Sequence, residues 1–211
     1  MYLKLYCFSV ILSYNMASSV ELLSNFTWLN EPKHWNFEDN VLTFSTDNKT
    51  DFWQGTWYNF FVNSGHVYGI EIKEDFTLEV CVEAEFKHLY DQAGLMIYVD
   101  EKHWLKAGIE YNDGQPMIGS VLTNGGSDWA TGIFQGDPKK FWLRLTKLGN
   151  VLCVKYSIDN KIWNLLRLSP FMITDKYFVG PMSCSPQREG LSVKFSNMIF
   201  SKPDKDILHN N

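Results

Sequence analysis

Phe76-Thr77-Leu78-Glu79-Val80-Cys81-Val82-Glu83-Ala84-Glu85-Phe86 is the stretch that decides the fold. Its even positions are apolar and its odd positions mostly acidic. Successive side chains of a strand point to opposite faces, so this pattern reads as a half-buried antiparallel strand. The same period continues on both sides of it. Phe141, Leu143 and Leu145 alternate with Trp142, Arg144 and Thr146. Leu152, Val154, Tyr156 and Ile158 alternate with Val151, Cys153, Lys155 and Ser157. Leu191, Val193 and Phe195 alternate with Ser192, Lys194 and Ser196. Turn residues punctuate the runs at Asn112-Asp113-Gly114, Asn124-Gly125-Gly126, Gly149-Asn150 and Asp159-Asn160. Apart from the N-terminal segment, no stretch keeps a helical period of apolar residues. The pattern predicts an all-β chain of about a dozen short strands in two packed antiparallel sheets.

Composition narrows the function. The 211 residues are 45% hydrophobic, enough for one sizeable core, and 16% aromatic with 8 Trp. So many rings predict that some sit on a surface. The net charge is −5 and no Lys or Arg run forms a stripe, which argues against a nucleic-acid partner. Cys7, Cys81, Cys153 and Cys184 are scattered, with no Cys-x-x-Cys and no His-Glu-x-x-His. No metal site is predicted; four reduced thiols in a reducing compartment are. No Ser-His-Asp order, phosphate loop or dinucleotide fingerprint appears, so no cofactor is expected. Gly125-Gly126-Ser127 reads as a hairpin turn, and His34, His66, His88 and His103 as surface or capping residues.

Residues 1–23 read as a leader or extra segment, 24–203 as the domain and 204–211 as a frayed polar tail. Residues 5–12 are apolar, but too few to span a bilayer, and the segment makes a weak signal peptide. A cytoplasmic protein is expected, with secretion as the alternative.

The strand over 104–111 carries the most suggestive chemistry. Leu105, Ala107, Ile109 and Tyr111 point one way and read as core. Trp104, Lys106, Gly108 and Glu110 point the other way. An indole, an ammonium, a glycine gap and a carboxylate on one face suit a sugar or other small polar ligand. Gln92, Gly94, Met96 and Tyr98 offer a matching face one strand earlier. A hairpin through Asp100-Glu101-Lys102 would bring Gln92 to Glu110 and Gly94 to Gly108, leaving room against the sheet. The bland alternative is a solvated face on which Lys106 pairs with Glu79 or Glu83. Asp51, Trp53, Asp128 and Trp129 lie in loop-like surroundings.

Five segments add a family resemblance: Thr50-Asp51-Phe52-Trp53, Tyr90-Asp91-Gln92-Ala93-Gly94-Leu95-Met96, Trp104-Leu105-Lys106-Ala107-Gly108-Ile109-Glu110, Ser127-Asp128-Trp129, and Val179-Gly180-Pro181 with Cys184-Ser185-Pro186. In this order and spacing the chain resembles an uncharacterised domain family that includes the fungal regulation-of-enolase protein. That family is grouped with concanavalin A-like lectins and glucanases. The resemblance covers nearly the whole chain, from Trp28 to Phe200. It implies a concanavalin A-like two-sheet sandwich, or jelly roll. It also implies that Asp51, Trp53, Asp128 and Trp129 gather with the strand residues around one concave surface.

Three functions follow in order: non-catalytic binding of a carbohydrate or similar polar molecule, a cytosolic module regulating a metabolic enzyme such as enolase, and a glycoside-active enzyme. The related glucanases carry Glu-x-Asp-x-Glu on one strand. Here Glu79 and Glu83 keep the spacing, but Cys81 replaces the central aspartate that would separate their pKa values. Ser157-Ile158-Asp159-Asn160-Lys161-Ile162-Trp163 resembles the structural hairpin motif of sialidases, with Asn160 and Lys161 where a glycine is usual.

Overall fold

The computed structural model describes residues 25–209. The predicted leader and Cys7 lie outside them. Among the described residues the chain forms sixteen strands and no helix. The first six are β1 (Thr27–Leu29), β2 (His34–Glu38), β3 (Val41–Ser45), β4 (Phe52–Gln54), β5 (Phe61–Asn63) and β6 (His66–Ile72). Then come β7 (Phe76–Ala84), β8 (Gln92–Asp100), β9 (His103–Asn112), β10 (Gln115–Asn124) and β11 (Gly126–Ile133). The last five are β12 (Lys140–Leu148), β13 (Val151–Ser157), β14 (Asn164–Pro170), β15 (Tyr177–Cys184) and β16 (Ser192–Ser201).

Two seven-stranded antiparallel sheets form a concanavalin A-like sandwich. The first runs β1-β6-β15-β8-β9-β10-β11 and the second β14-β13-β12-β7-β16-β3-β2. β4 and β5 make a separate two-stranded ribbon. The period-two pattern explains the layering. Leu78, Val80 and Val82 of β7 meet Leu95, Ile97, Leu105 and Ile109 of the first sheet in one core. The acidic alternates of β7 face outward on the second sheet.

The β8–β9 hairpin has the register its sequence predicts, with Gln92 opposite Glu110 and Gly94 opposite Gly108. The two glycines let the backbones approach: a Cβ on either would drive into the carbonyl of Ala107 or Ala93. Gly125, at φ 80°, turns β10 into β11. The sialidase-like hairpin is built as expected. Asp159 accepts the Lys161 and Ile162 N–H groups, both at 2.9 Å, and Asn160 takes a positive φ of 58°.

Residue Ile207 of the polar tail meets the sandwich, where the Cys153 thiol donates to its carbonyl at 3.4 Å. The structure refines two further expectations. Of the two roles expected for His66, surface or capping, it takes the second, and from a buried position. Its Nε2 accepts the Asp47 N–H at 3.0 Å and its Nδ1 meets the Asn30 carbonyl. Burial holds its pKa below the ordinary value, against the opposing pull of Asn30 and Asp47. Trp53, Asp128 and Trp129 lie on strands, β4 and β11, rather than in loops.

Candidate functional site

The outer face of the first sheet is covered where β4 and β5 fold over it. Phe52 and Trp53 of the ribbon pack with Val67, Met96, Trp104, Val121, Met182 and Cys184 in a second apolar cluster. Lys106 fastens the ribbon down. Its ammonium donates to Asp51 Oδ1 at 3.0 Å and to the Phe52 carbonyl at 2.9 Å. Asp51 also accepts the Phe52 N–H at 2.8 Å. Burial opposes the Lys106 charge, but Asp51, Cys184 and Glu110 outweigh it and hold the ammonium above its usual range. The predicted partners Glu79 and Glu83 are out of reach because β7 sits in the other sheet. Arg144 takes Glu79 at 2.8 Å, and Lys194 takes Glu83 at 3.2 Å.

Between the ribbon and the sheet lies a cavity of about 200 Å³. Gln92, Lys106, Glu110 and Val121 supply it from the sheet. Asp51, Trp53, Tyr58 and Phe60 come from the ribbon and its approach. Tyr90, Trp129, Pro186 and Gln187 complete the lining. A small recess of about 20 Å³, bounded in part by Gln92, Lys106, Gly108, Glu110 and Gly119, lies beside it. That is room for about one water.

Glu110 is the exceptional group. The residue is half-buried, its backbone pairs with Gln92 and Met117, and its carboxyl makes no hydrogen bond or ion pair with another described residue. Burial pushes its carboxyl up to about 7, although the Lys106 charge pulls the other way. A carboxyl poised near neutrality in a cleft marks a functional-site candidate. The Tyr90 hydroxyl faces Tyr58 at 3.2 Å and is pushed up to about 12, first by that hydrogen bond and then by burial.

A buried ion pair props the loops around the cavity. Arg188 grips Asp91 at 2.9 and 2.6 Å, and the Lys87 and His88 N–H groups donate to the same carboxylate at 3.0 Å. Burial pushes Asp91 up, but these donors win and hold it below its usual range. The pair fixes Tyr90, before Asp91, and Gln187, before Arg188, on opposite sides of the same network.

Six of the eight predicted site residues share the cavity: Asp51, Trp53, Gln92, Lys106, Glu110 and Trp129. Trp104 and Asp128 do not line it. Trp104 has the predicted face, but the ribbon buries it completely and its Nε1 donates to the Glu101 carbonyl at 3.1 Å. Asp128 neighbours Trp129 on β11, and strand alternation sends it to the other face. There its carboxylate pairs with Arg167 of the second sheet at 2.5 Å. Tyr58, Phe60, Tyr90, Pro186 and Gln187 line the cavity without having been predicted. Tyr90 and Pro186 fall in the quoted family segments, and the aromatic run Trp57-Tyr58-Asn59-Phe60-Phe61 was the available signal for the ribbon residues. Cys184, expected in a turn, ends β15 fully buried, and burial pushes its thiol well above the usual range.

Residues 28–203, which hold the cavity and nearly all of the sandwich, match the family described as "Protein of unknown function (DUF1349)". The chain belongs to this family. It is 49% identical over 187 residues to "Regulation of enolase protein 1" of Saccharomyces cerevisiae, covering 89% of this chain and 94% of that protein. A crystal structure of a functionally unknown protein from Saccharomyces cerevisiae superposes with a TM-score of 0.84 at 50% identity, covering 86% of this chain and 98% of that one. The carbohydrate binding module CBM66 from Bacillus subtilis gives a TM-score of 0.53 at 14% identity, covering 84% of this chain and 98% of the module. A GH43 protein from Bacillus licheniformis gives 0.67 at 14% identity, covering 85% of this chain and 37% of that one. Identities this low show a shared fold and no more. Among the described residues no helix is long and apolar enough to cross a membrane, and no cluster of His, Cys, Asp and Glu could hold a metal ion.

Proposed function

We propose that this domain binds a small polar ligand, of the carbohydrate class or similar, in the cavity under the β4–β5 ribbon, without transforming it. One observation carries the reading. Residues far apart in sequence, Asp51, Gln92, Glu110 and Trp129 among them, converge on one cavity that joins large rings to a carboxylate without a partner among the described residues. Ligand sites combine apolar walls with a few convergent polar groups in this way. The likeness to a carbohydrate binding module agrees with it at the level of fold. A hydrolytic role loses its motif residues, since Glu79 and Glu83 lie on the second sheet, paired with cations and apart from the cavity. The test is calorimetric titration with a panel of mono- and oligosaccharides, with tryptophan fluorescence as a second readout. Saturable binding that Glu110→Gln and Trp129→Ala remove is expected. Binding indifferent to both variants would place the ligand elsewhere.

A second reading, a cytoplasmic module regulating a metabolic enzyme, is favoured by the relative's name and by the exposed ribbon tip. Trp57 is 89% exposed and Phe61 69%. Exposed rings of this size suit a protein contact. The buried free thiols of Cys81, Cys153 and Cys184 fit a reducing compartment. Co-sedimentation with purified enolase, lost in Trp57→Ala, is the outcome this reading expects. No co-sedimentation at micromolar concentrations would end it.

A further inference from the structure

We propose that the cavity recognises an alkylated ammonium cation, held against the faces of its aromatic walls and neutralised by the Glu110 carboxylate. The inference rests on the binding reading above and narrows its ligand to a positively charged class.

The ring geometry comes first. Trp53 and Trp129 meet at 88° with centroids 6.4 Å apart, and Trp129 and Tyr90 at 76° and 6.4 Å. Trp53 and Tyr58 meet at 67° and 6.0 Å. A sugar ring stacks best on one flat platform. Rings set near right angles make the corner of a box rather than a platform, and such a corner can bring more than one ring face to a roughly spherical group, which suits an ammonium. The indole N–H of Trp53 is already given to the Thr56 carbonyl at 3.0 Å, which leaves the ring as what it offers a ligand.

The charges point the same way. Lys106 and Asp51 neutralise each other at 3.0 Å, and Lys106 also serves the Phe52 carbonyl. Glu110 is left over, so with its carboxyl ionised the cavity carries one net negative charge. The neutral hydrogen-bonding groups of the wall are Gln92, Gln187, the Trp129 indole and the Tyr58–Tyr90 pair, which uses one of its two O–H donors between the rings. An alkylated ammonium needs none of them: one carboxylate and several ring faces hold it.

An alkylated ammonium occurs free or on a methylated lysine side chain, and the experiment separates the two. The purified protein is titrated with choline, with its neutral isostere 3,3-dimethylbutan-1-ol, with a trimethyllysine tripeptide, and with glucose and xylose. Titrations run at pH 6 and pH 8, read by calorimetry and tryptophan fluorescence. Choline or the tripeptide is expected to saturate and to bind at least about tenfold tighter than the isostere. The better of the two names the source. Affinity should rise about tenfold from pH 6 to pH 8 as Glu110 loses its proton. The charged or titratable groups facing Glu110 are Lys106 beside it on β9, Asp51 before β4, Tyr90 before β8 and Cys184 ending β15. Lys106, Tyr90 and Cys184 are all held above their usual ranges, so they keep their protons over this interval. In Glu110→Gln the pH response should vanish and the preference for charge should shrink to what the aromatic faces alone supply. Equal binding of choline and its isostere to the wild-type protein would overturn the proposal, whatever the variant does. Sugar binding with no response to either cation would overturn it and leave the binding reading standing. No saturable response to any probe would overturn both.

Discussion

The outer faces of the two sheets are written in the same alphabet and do opposite things. On β7 of the second sheet, Glu79 and Glu83 alternate with core residues; on β9 of the first, Lys106 and Glu110 do the same. Each β7 acid lies beside strands that carry cations. Arg144 is in register with Glu79, and Lys140 and Lys194 are in register with Glu83. The face is an exposed lattice of ion pairs. On the first sheet Glu110 faces Gln92 and Met117, neither of them charged. Lys106 is taken by Asp51 from a ribbon folded over the top. Alternation alone makes a solvated face. A covering element and one acid too many make a candidate site.

The comparison breaks most visibly at Lys106. Replacing it by Met leaves Asp51 under the ribbon without its ammonium and frees the Phe52 carbonyl. Breaking a buried pair from one side costs about 3–5 kcal/mol. Lys194→Met, at the exposed Glu83 pair, should cost under about 1 kcal/mol. Urea denaturation of the two variants measures the contrast directly. If both lose the same small amount, the ribbon is not held by Lys106 and the two faces do not differ as argued.

How much of this contrast could be read from sequence follows from range. Which residues share a face is a local property, so Lys106 and Glu110 opposite Leu105 and Ile109 were legible, as was the Gln92–Glu110 register through a tight hairpin. Which sheet a strand joins is not local. Nothing near β7 says that it lies across the core from β9, so pairing Lys106 with Glu79 or Glu83 looked equally sound. The partner, Asp51, is 55 residues away. The same distance hid the fate of Trp104: its face was right, but the ribbon that buries it begins at Phe52. Asp128 failed for a simpler reason. Read as a loop, it could share a wall with Trp129; on a strand, neighbours must part.

Glu110 sharpens the comparison with a pH dependence. Its folded carboxyl is raised to about 7 from an ordinary 4.5. Below the unfolded value both states are protonated and the burial carries no charge penalty. Between 4.5 and about 7 the unfolded chain ionises and the folded one does not, so stability falls as pH rises. Above about 7 the penalty is complete. Glu110→Gln should therefore match the wild type near pH 4 and exceed it at pH 8 by about 1–3 kcal/mol, discounted for partial exposure. Denaturation curves at the two pH values check the sign. A variant less stable than wild type at pH 8 would make Glu110 a structural partner, not a group waiting for a ligand.

The smallest effect belongs to the other face. Glu83 is shared by Lys194 at 3.2 Å and Lys140 at 3.9 Å, with side chains 31%, 45% and 50% exposed. Water screens such pairs well, and ordering long side chains offsets much of the attraction. Glu83→Gln should destabilise by about 0.2–1 kcal/mol, the opposite sign from Glu110→Gln, because this acid gains from its neighbours while the other does not. Raising the salt to about 1 M shortens the screening length to about 3 Å and should erase the difference. The Glu110→Gln gain should survive the same salt, since its origin is burial and not a pair that ions can screen. Melting the two variants with and without salt tests that distinction. A salt-sensitive gain at Glu110 would mean that its raised pKa comes from neighbouring charge rather than from the cover of the ribbon.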